Sequence, residues 1–164
     1  MRLQRMLVVG TAVVAAAIVA AQAGASAPSR IHVSGTYSGG DQSNSVTNCT
    51  PDGPYILHCT TTGVVLVYSG DLQGSSVIDF TWTIDCKAGT QHAQGTETFT
   101  GSVAGVGSGT SSWSFNAHSG FDCTVFEFSE FSGADVVVAG SGDLAGVRGI
   151  IQRKDTTYDG ELRY

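Results

Sequence analysis

The sequence has 164 residues, 22 of them glycine, with only 13% charged residues and a formal net charge of −6 at pH 7. This length suits one domain with a hydrophobic core of its own. An acidic chain without a basic cluster is a poor partner for nucleic acid or for an anionic membrane surface, so both kinds of target are excluded.

Residues 1–27 have the features of a secretory signal peptide. Two arginines within the first five residues precede the uncharged run MLVVGTAVVAAAIVAA (6–21). This run continues into the small residues of AQAGASA (21–27), directly before Pro28. This order predicts export and cleavage before Pro28; the alternative is an N-terminal membrane anchor. The predicted mature protein, 28–164, is a single secreted domain that keeps six of the eight basic residues against fourteen acidic ones. No second apolar stretch reaches the ~20 residues of a membrane-spanning helix.

The four cysteines all lie in the predicted mature chain, at Cys49, Cys59, Cys86 and Cys123. An even number of cysteines in an exported protein predicts two disulfides, with three pairings open. The alternatives are four free thiols or a zinc site. The zinc site is disfavoured because the chain has no C-x-x-C pair, and neither a metal nor a cofactor is predicted.

Apolar and polar residues alternate along the mature chain with a period of two, which is typical of strands with one buried face. In VIDFTWTID (77–85), Phe80 and Trp82 share a face with two isoleucines, and in SSWSFNAHS (111–119) Trp113 and Phe115 do the same. No window has a helical period. Strands are predicted near 31–38, 60–69, 76–86, 93–103, 110–118, 123–131, 134–140, 144–152 and 157–164.

Many short strands bounded by glycine predict an all-β sandwich or barrel. The one long connection, 39–59, contains two of the cysteines and is predicted to be a loop. If the strands run up and down in sequence order, all four cysteines lie at one end. The simplest pairing is then Cys49–Cys59 with Cys86–Cys123, and the other two pairings stay open.

Two copies of a Gly-Asp-Leu motif occur, in SGDLQGSS (69–76) and GSGDLAGVRG (140–149). A phosphate-binding glycine loop requires a following helix, whose N-terminus faces the anion. Strand-like sequence follows both copies, so we interpret them as tight turns. Arg148, the next-to-last residue of the second copy, either faces solvent or reaches a carboxylate such as Glu97 in the interior.

Several of these motifs occur together in the order of a known bacterial family. They are HVSGTY (32–37), YSGDLQGSS (68–76), GTETFTGSVAG (95–105), AHSG (117–120), GSGDLAGVRG (140–149) and YDGELRY (158–164). The chain resembles domain-of-unknown-function family 3224 (DUF3224), which is similar to the allene-oxide-cyclase-like barrels that include plant dirigent proteins. The resemblance implies a closed antiparallel β-barrel of about eight strands, often oligomeric.

The same resemblance implies no catalytic residue, because the family is functionally uncharacterised and no motif of its better-known relatives matches this chain. Those relatives hold apolar small molecules in the lumen of the barrel. This chain departs from the family in its export signal, its cysteine pairs and its segment 39–59.

Four aromatic residues are predicted to line such a lumen as ligand-binding residues: Phe80, Trp82, Trp113 and Phe115. The alternative is that they pack as an ordinary core. Glu97 alternates onto the same face as Phe99 and Val103, where a carboxylate could act as a general acid or base. His118 and Arg148 are further polar candidates, although His118 could simply cap a strand end.

Three functions follow from these candidates. The first, which we favour, is a secreted module that binds a small apolar molecule without catalysis. The second is a cyclase- or isomerase-like enzyme that uses Glu97, Arg148 or His118 in the same lumen. The third is an interaction protein with a filled core that acts through its rim loops. A buried ionisable group facing a real cavity distinguishes the first two functions, and a filled lumen favours the third.

Overall fold

The computed structural model describes residues 28–39 and 45–164. The predicted signal peptide, 1–27, lies outside the described residues and stays a prediction. In the described part of the chain, no helix is long and apolar enough to cross a membrane.

The described residues form an all-β structure of nine strands. They are β1 (Arg30–Gly39), β2 (Val46–Asp52), β3 (Ile56–Gly70), β4 (Leu72–Asp85), β5 (Thr90–Val103), β6 (Gly107–Asp122), β7 (Glu127–Gly142), β8 (Arg148–Lys154) and β9 (Thr157–Arg163). All pairings between them are antiparallel. The prediction of an all-β fold is therefore confirmed.

Eight of these strands form a ring of pairings in a single sheet. Consecutive strands pair from β3 to β9, and β1 joins the two ends of this series by pairing with both β9 and β3. The remaining strand, β2, pairs with the first half of β3 and extends the sheet outside the ring. β3 has three partners, because its 15 residues let β2 pair with its first half and β1 with its last five residues while β4 pairs along most of its length. Its register against β4 shifts between Thr61 and Val64.

Alternation places the core on one face of the sheet, as the sequence predicts. Along β5, Ala93, Glu97, Phe99 and Val103 are buried, and most of the residues between them are exposed. In β5 the opposite face carries polar residues and is exposed. This pattern is expected of antiparallel strands that bury a single face.

The segment 39–59 is not a loop throughout, which corrects the prediction. It contains β2 and the start of β3, and Cys49 lies within β2 directly opposite Cys59. Every residue of β2 is exposed, so the strand has no buried alternation to reveal it. Pro51 is tolerated there because β2 is an edge strand, where a missing backbone donor costs little.

Two predicted strand boundaries were also wrong. The predicted strands 123–131 and 134–140 are one strand, β7, which begins only after a turn at 123–126. The predicted strand 144–152 begins at Arg148, since 143–146 form a turn.

The structure has two disulfides, Cys49–Cys59 and Cys86–Cys123, and no free cysteine among the described residues. This is the simplest of the three pairings considered. The second disulfide joins the turn after β4 to the turn after β6. We call this the disulfide end of the ring; the turns from β2 to β3 and from β8 to β9 lie there too.

At the opposite end, both Gly-Asp-Leu motifs are turns, as predicted. Asp71 Oδ2 accepts a hydrogen bond from the Ser34 amide at 2.9 Å, and Asp143 Oδ2 accepts one from the Ser108 amide at 3.0 Å. In both cases the aspartate amide donates back to the same serine's carbonyl. The leucines that follow, Leu72 and Leu144, are at most 1% exposed. Two similar corners therefore fill this end, which we call the leucine end.

Candidate functional site

A cavity of about 260 Å³ lies on the buried face of the sheet, towards the disulfide end. Seven of the eight ring strands line it, all except β9. The lining is mainly apolar and aromatic: Tyr37, Leu66, Ile78, Phe80, Trp82, Gln91, Ala93, Phe115, Phe128, Phe131, Arg153 and Asp155. Phe128 and Asp155 are exposed; Phe128 follows the turn at 123–126 and Asp155 lies in the turn between β8 and β9, so the cavity opens at the disulfide end. The other end is filled by the leucine corners.

Arg153 is the cationic side chain of the lining, and it is 3% exposed. Its Nη2 lies 2.6 Å from Asp135 Oδ1, to which it donates a hydrogen bond, and 3.1 Å from Glu97 Oε2. Tyr68 donates from its hydroxyl to Glu97 Oε1 at 2.7 Å. These four buried residues, Arg153, Asp135, Glu97 and Tyr68, form what we call the Arg153 cluster.

One cation faces two carboxylates in this cluster, so full ionisation would leave a buried net negative charge. Burial raises the pKa of Asp135 from 3.8 to about 7, with Arg153 opposing this rise and Glu97 adding to it. Burial acts to lower the pKa of Arg153, but the two carboxylates outweigh it and raise the pKa above its usual value. The cluster near neutral pH therefore holds a charged arginine and a titrating carboxyl.

Two aromatic rings lie against the guanidinium where it meets the cavity. The Arg153 Cζ atom lies 5.5 Å from the ring centre of Tyr37 and 5.6 Å from that of Phe115, within the range of cation–π attraction. Burial raises the pKa of Tyr37 to about 12, so its hydroxyl stays protonated and donates to the carbonyl of Asp155. Tyr37 thus connects the cluster to the turn at the mouth of the cavity.

Three of the four predicted ligand-binding residues line the cavity: Phe80, Trp82 and Phe115. The fourth, Trp113, does not. Its ring stacks on Phe99 with a centroid distance of 5.2 Å, its Nε1 donates to Ser111, and it is 2% exposed. Trp113 is therefore a core residue, which was the alternative interpretation of the aromatic set.

The three polar candidates are divided between the two faces of the sheet. Glu97 is buried in the cluster, 1% exposed, but is not itself a lining residue. Arg148 does not approach Glu97; it is exposed, and its Nη1 donates to the neighbouring Val147 carbonyl. His118 is exposed in the middle of β6, between buried Ala117 and Ser119, and so faces away from the cavity. It does not cap a strand end.

Exposed hydrophobic residues lie at the disulfide end, where the cavity opens. Phe126 and Phe128 are 54% and 55% exposed, and both rings contact the buried ring of Phe121 at a centroid distance of 5.0 Å. Three non-glycine residues have a left-handed backbone among those described, and all lie at this end: Phe126, Glu130 and Asp155. Strained residues of this kind are concentrated where a structure binds or switches.

Larger depressions lie on the exposed face of the sheet. One of about 640 Å³ is lined by exposed side chains such as Asp79, Gln94 and Asn116. A molecule there would remain in water and would bury little surface, so this depression is a weaker candidate than the smaller cavity. Among the described residues, no three histidine, cysteine, aspartate or glutamate side chains are placed to share a metal ion.

No family model matches the chain, and no curated protein matches it. A similar solved structure is that of a protein with unknown function from the DUF3224 family of Shewanella oneidensis MR-1. The two are 15% identical, the match covers 82% of this chain and 96% of the other, and the TM-score is 0.50. The resemblance predicted from the motifs is thus confirmed at the level of the fold. The neighbour's unknown function adds nothing about activity.

Proposed function

We propose that this protein is a secreted carrier or sequestering module that binds a small, largely apolar molecule in the cavity at the disulfide end. The observation that carries the proposal is the cavity itself. It lies on the buried face of the sheet, half of its lining residues are aromatic, and it opens to solvent at one end. Concave apolar sites with few polar groups are the usual form of small-molecule sites.

We also propose that the ring of eight strands is a closed, allene-oxide-cyclase-like barrel. An eight-stranded barrel is just wide enough to be filled by side chains or to hold one small ligand. Here the buried, stacked rings of Trp113 and Phe99 fill the half of the ring nearer the leucine end. The cavity lies in the half nearer the disulfide end. Export agrees with the two disulfides, since such bonds persist in oxidising compartments.

Binding without catalysis is favoured over an enzyme by the position of the carboxylates. Glu97 and Asp135 are at most 1% exposed, and of the Arg153 cluster only Arg153 lines the cavity. A general acid or base must come within hydrogen-bond reach of its substrate. A charged guanidinium can hold a ligand, but its pKa makes it a poor proton donor or acceptor near neutral pH.

The experiment is a binding titration with ethylbenzene, an apolar probe of suitable size, observed by ¹⁵N NMR. The chain has two tryptophans, and only Trp82 lines the cavity, so Trp113 is an internal reference. We expect a saturable shift of the Trp82 indole signal and little shift of Trp113. Ala93→Leu, which adds volume inside the cavity, should weaken binding about tenfold or more.

The matched control is Gln94→Leu, the neighbouring residue on the exposed face of β5. It should leave the ethylbenzene affinity unchanged. Absence of a saturable shift in the wild type would contradict the proposal, as would an Ala93→Leu variant that binds like the wild type.

A further inference from the structure

Two of the residues that line the cavity each have a buried polar atom without a hydrogen-bond partner among the described residues. They are Nε of Arg153, a donor, and Oε1 of Gln91, an acceptor. Their side chains belong to residues that are 3% and 5% exposed, so bulk water does not serve them. Gln91 is held in place because its Nε2 donates to Ser119 Oγ at 3.0 Å. Leaving a buried polar atom without a partner is unfavourable, so each calls for an explanation.

The charge of the site indicates whether the ligand that bonds these two atoms is neutral or anionic. Arg153 already faces Glu97 at 3.1 Å and Asp135 at 2.6 Å. Its positive charge is therefore balanced within the protein. A carboxylate or phosphate entering the cavity would bring a further negative charge next to two buried carboxylates, and would lose its hydration.

The size and the lining of the cavity limit the ligand further. An engineered cavity of about 150 Å³ holds benzene, so 260 Å³ has room for a molecule of roughly ten heavy atoms. The rings of Phe80, Trp82 and Phe115 line it, and aromatic side chains favour edge-to-face or offset contact with another ring.

We propose that the ligand is an uncharged ring compound with a hydroxyl group, which donates to Oε1 of Gln91 and accepts a hydrogen bond from Nε of Arg153. This inference deepens the proposed function and rests on it. It distinguishes a neutral alcohol or phenol from both a pure hydrocarbon and an anionic ligand such as a fatty acid.

The test compares four probes that share the ethylbenzene scaffold and differ in the para substituent, all at pH 7: 4-ethylphenol, 4-ethylanisole, ethylbenzene and 4-ethylbenzoate. The phenol donates and accepts, the anisole only accepts, the hydrocarbon does neither, and the benzoate is an anion. We expect the phenol to bind roughly five- to tenfold more tightly than ethylbenzene, with the anisole between them. The benzoate should bind more weakly than ethylbenzene.

The variant Gln91→Leu tests the assigned acceptor, with Gln94→Leu as its control on the same strand. Gln91→Leu should remove most of the advantage of the phenol over the anisole, and Gln94→Leu should keep it. Gln91→Met, which preserves the length of the side chain, repeats the test if the leucine variant folds poorly.

The possible outcomes separate this inference from the proposed function. If all four probes fail to bind, the cavity is not a ligand site and both proposals are wrong. If ethylbenzene binds as tightly as 4-ethylphenol, or 4-ethylbenzoate binds best, the proposed function stands and the ligand class is wrong.

Discussion

Arg153 Nη2 donates to Asp135 Oδ1 at 2.6 Å, although neither residue is more than 3% exposed. The two residues approach from adjacent strands, β8 and β7. Placing a charged group in the lining of an apolar cavity is costly unless it is paired. Asp135, which lies outside the lining, therefore allows Arg153 to line the proposed binding site as a charged side chain.

Removal of the cation should be strongly destabilising. Arg153→Met keeps the volume of the side chain but leaves Glu97 and Asp135 buried without a counter-charge. We expect a loss of about 3–5 kcal/mol in the free energy of unfolding, measured by urea denaturation. Arg148→Met, at an exposed position, should change it by less than about 0.5 kcal/mol. Equal effects of the two substitutions would contradict the account of the cluster.

Stability should decrease with pH through Asp135. Its pKa is 3.8 ordinarily and about 7 in the folded state, so between these values the folded protein binds more protons than the unfolded chain. The free energy of unfolding then falls as pH rises through this window, by at most ~1.4 kcal/mol per pH unit, and levels off above it.

Asp135→Asn provides the control for this pH dependence, because the amide does not titrate. The difference in unfolding free energy between wild type and Asp135→Asn should change between pH 4 and pH 7, when both are followed in urea. A constant difference across this range would show that Asp135 does not titrate there.

The leucine end should contribute to stability and not to binding. Leu144 is 1% exposed, so Leu144→Ala should cost about 2–5 kcal/mol through lost burial and a cavity. Val138→Ala, at an exposed position, should be nearly neutral. The affinity for ethylbenzene should be unchanged in both variants, since Leu144 does not line the cavity. A large loss of affinity in Leu144→Ala would mean that the two ends are coupled.

The two disulfides should differ in their contribution to stability. Their cysteines are separated by 10 and 37 residues, so loop-closure entropy gives about 3 kcal/mol for Cys49–Cys59 and about 4 kcal/mol for Cys86–Cys123. Each pair replaced by alanine, followed by urea denaturation, checks this order. If loss of Cys49–Cys59 proved the more damaging, β2 would have a larger structural role than an exposed edge strand should have.

The strands that define the ring could be predicted because their two faces differ. In β4 and β5, alternation of apolar and polar residues identified the buried face, including Glu97. It failed for β2, where every residue is exposed and Pro51 resembles a loop residue. It predicted part of β7, since the predicted strand 134–140 lies within that strand. It did not identify the buried face there, because exposed Val136 and Val138 flank buried Val137 and make both faces apolar.

The candidate site could be predicted only in part, because alternation identifies a buried residue only where the strand is correctly bounded and its two faces differ. Phe80, Trp82 and Phe115 followed from alternation, but Arg153 was missed because the predicted strand ended at residue 152. Extended by one residue, alternation from buried Ile151 places Arg153 on the inner face. Asp135 was not predicted to be buried, because the neighbouring valines make both faces of β7 apolar. The contacts between Arg153, Asp135 and Glu97 depend on strand pairing, which no local pattern contains.

The most direct test of the central claim is native mass spectrometry of the protein secreted by its own host, followed by the same sample denatured. The account predicts a chain that begins at Pro28, four hydrogens lighter than its reduced mass, with a reproducible added mass of a small neutral molecule that is lost on denaturation. A native sample that carries no added mass, and that gains none when 4-ethylphenol is supplied, would contradict the claim that the cavity is a binding site.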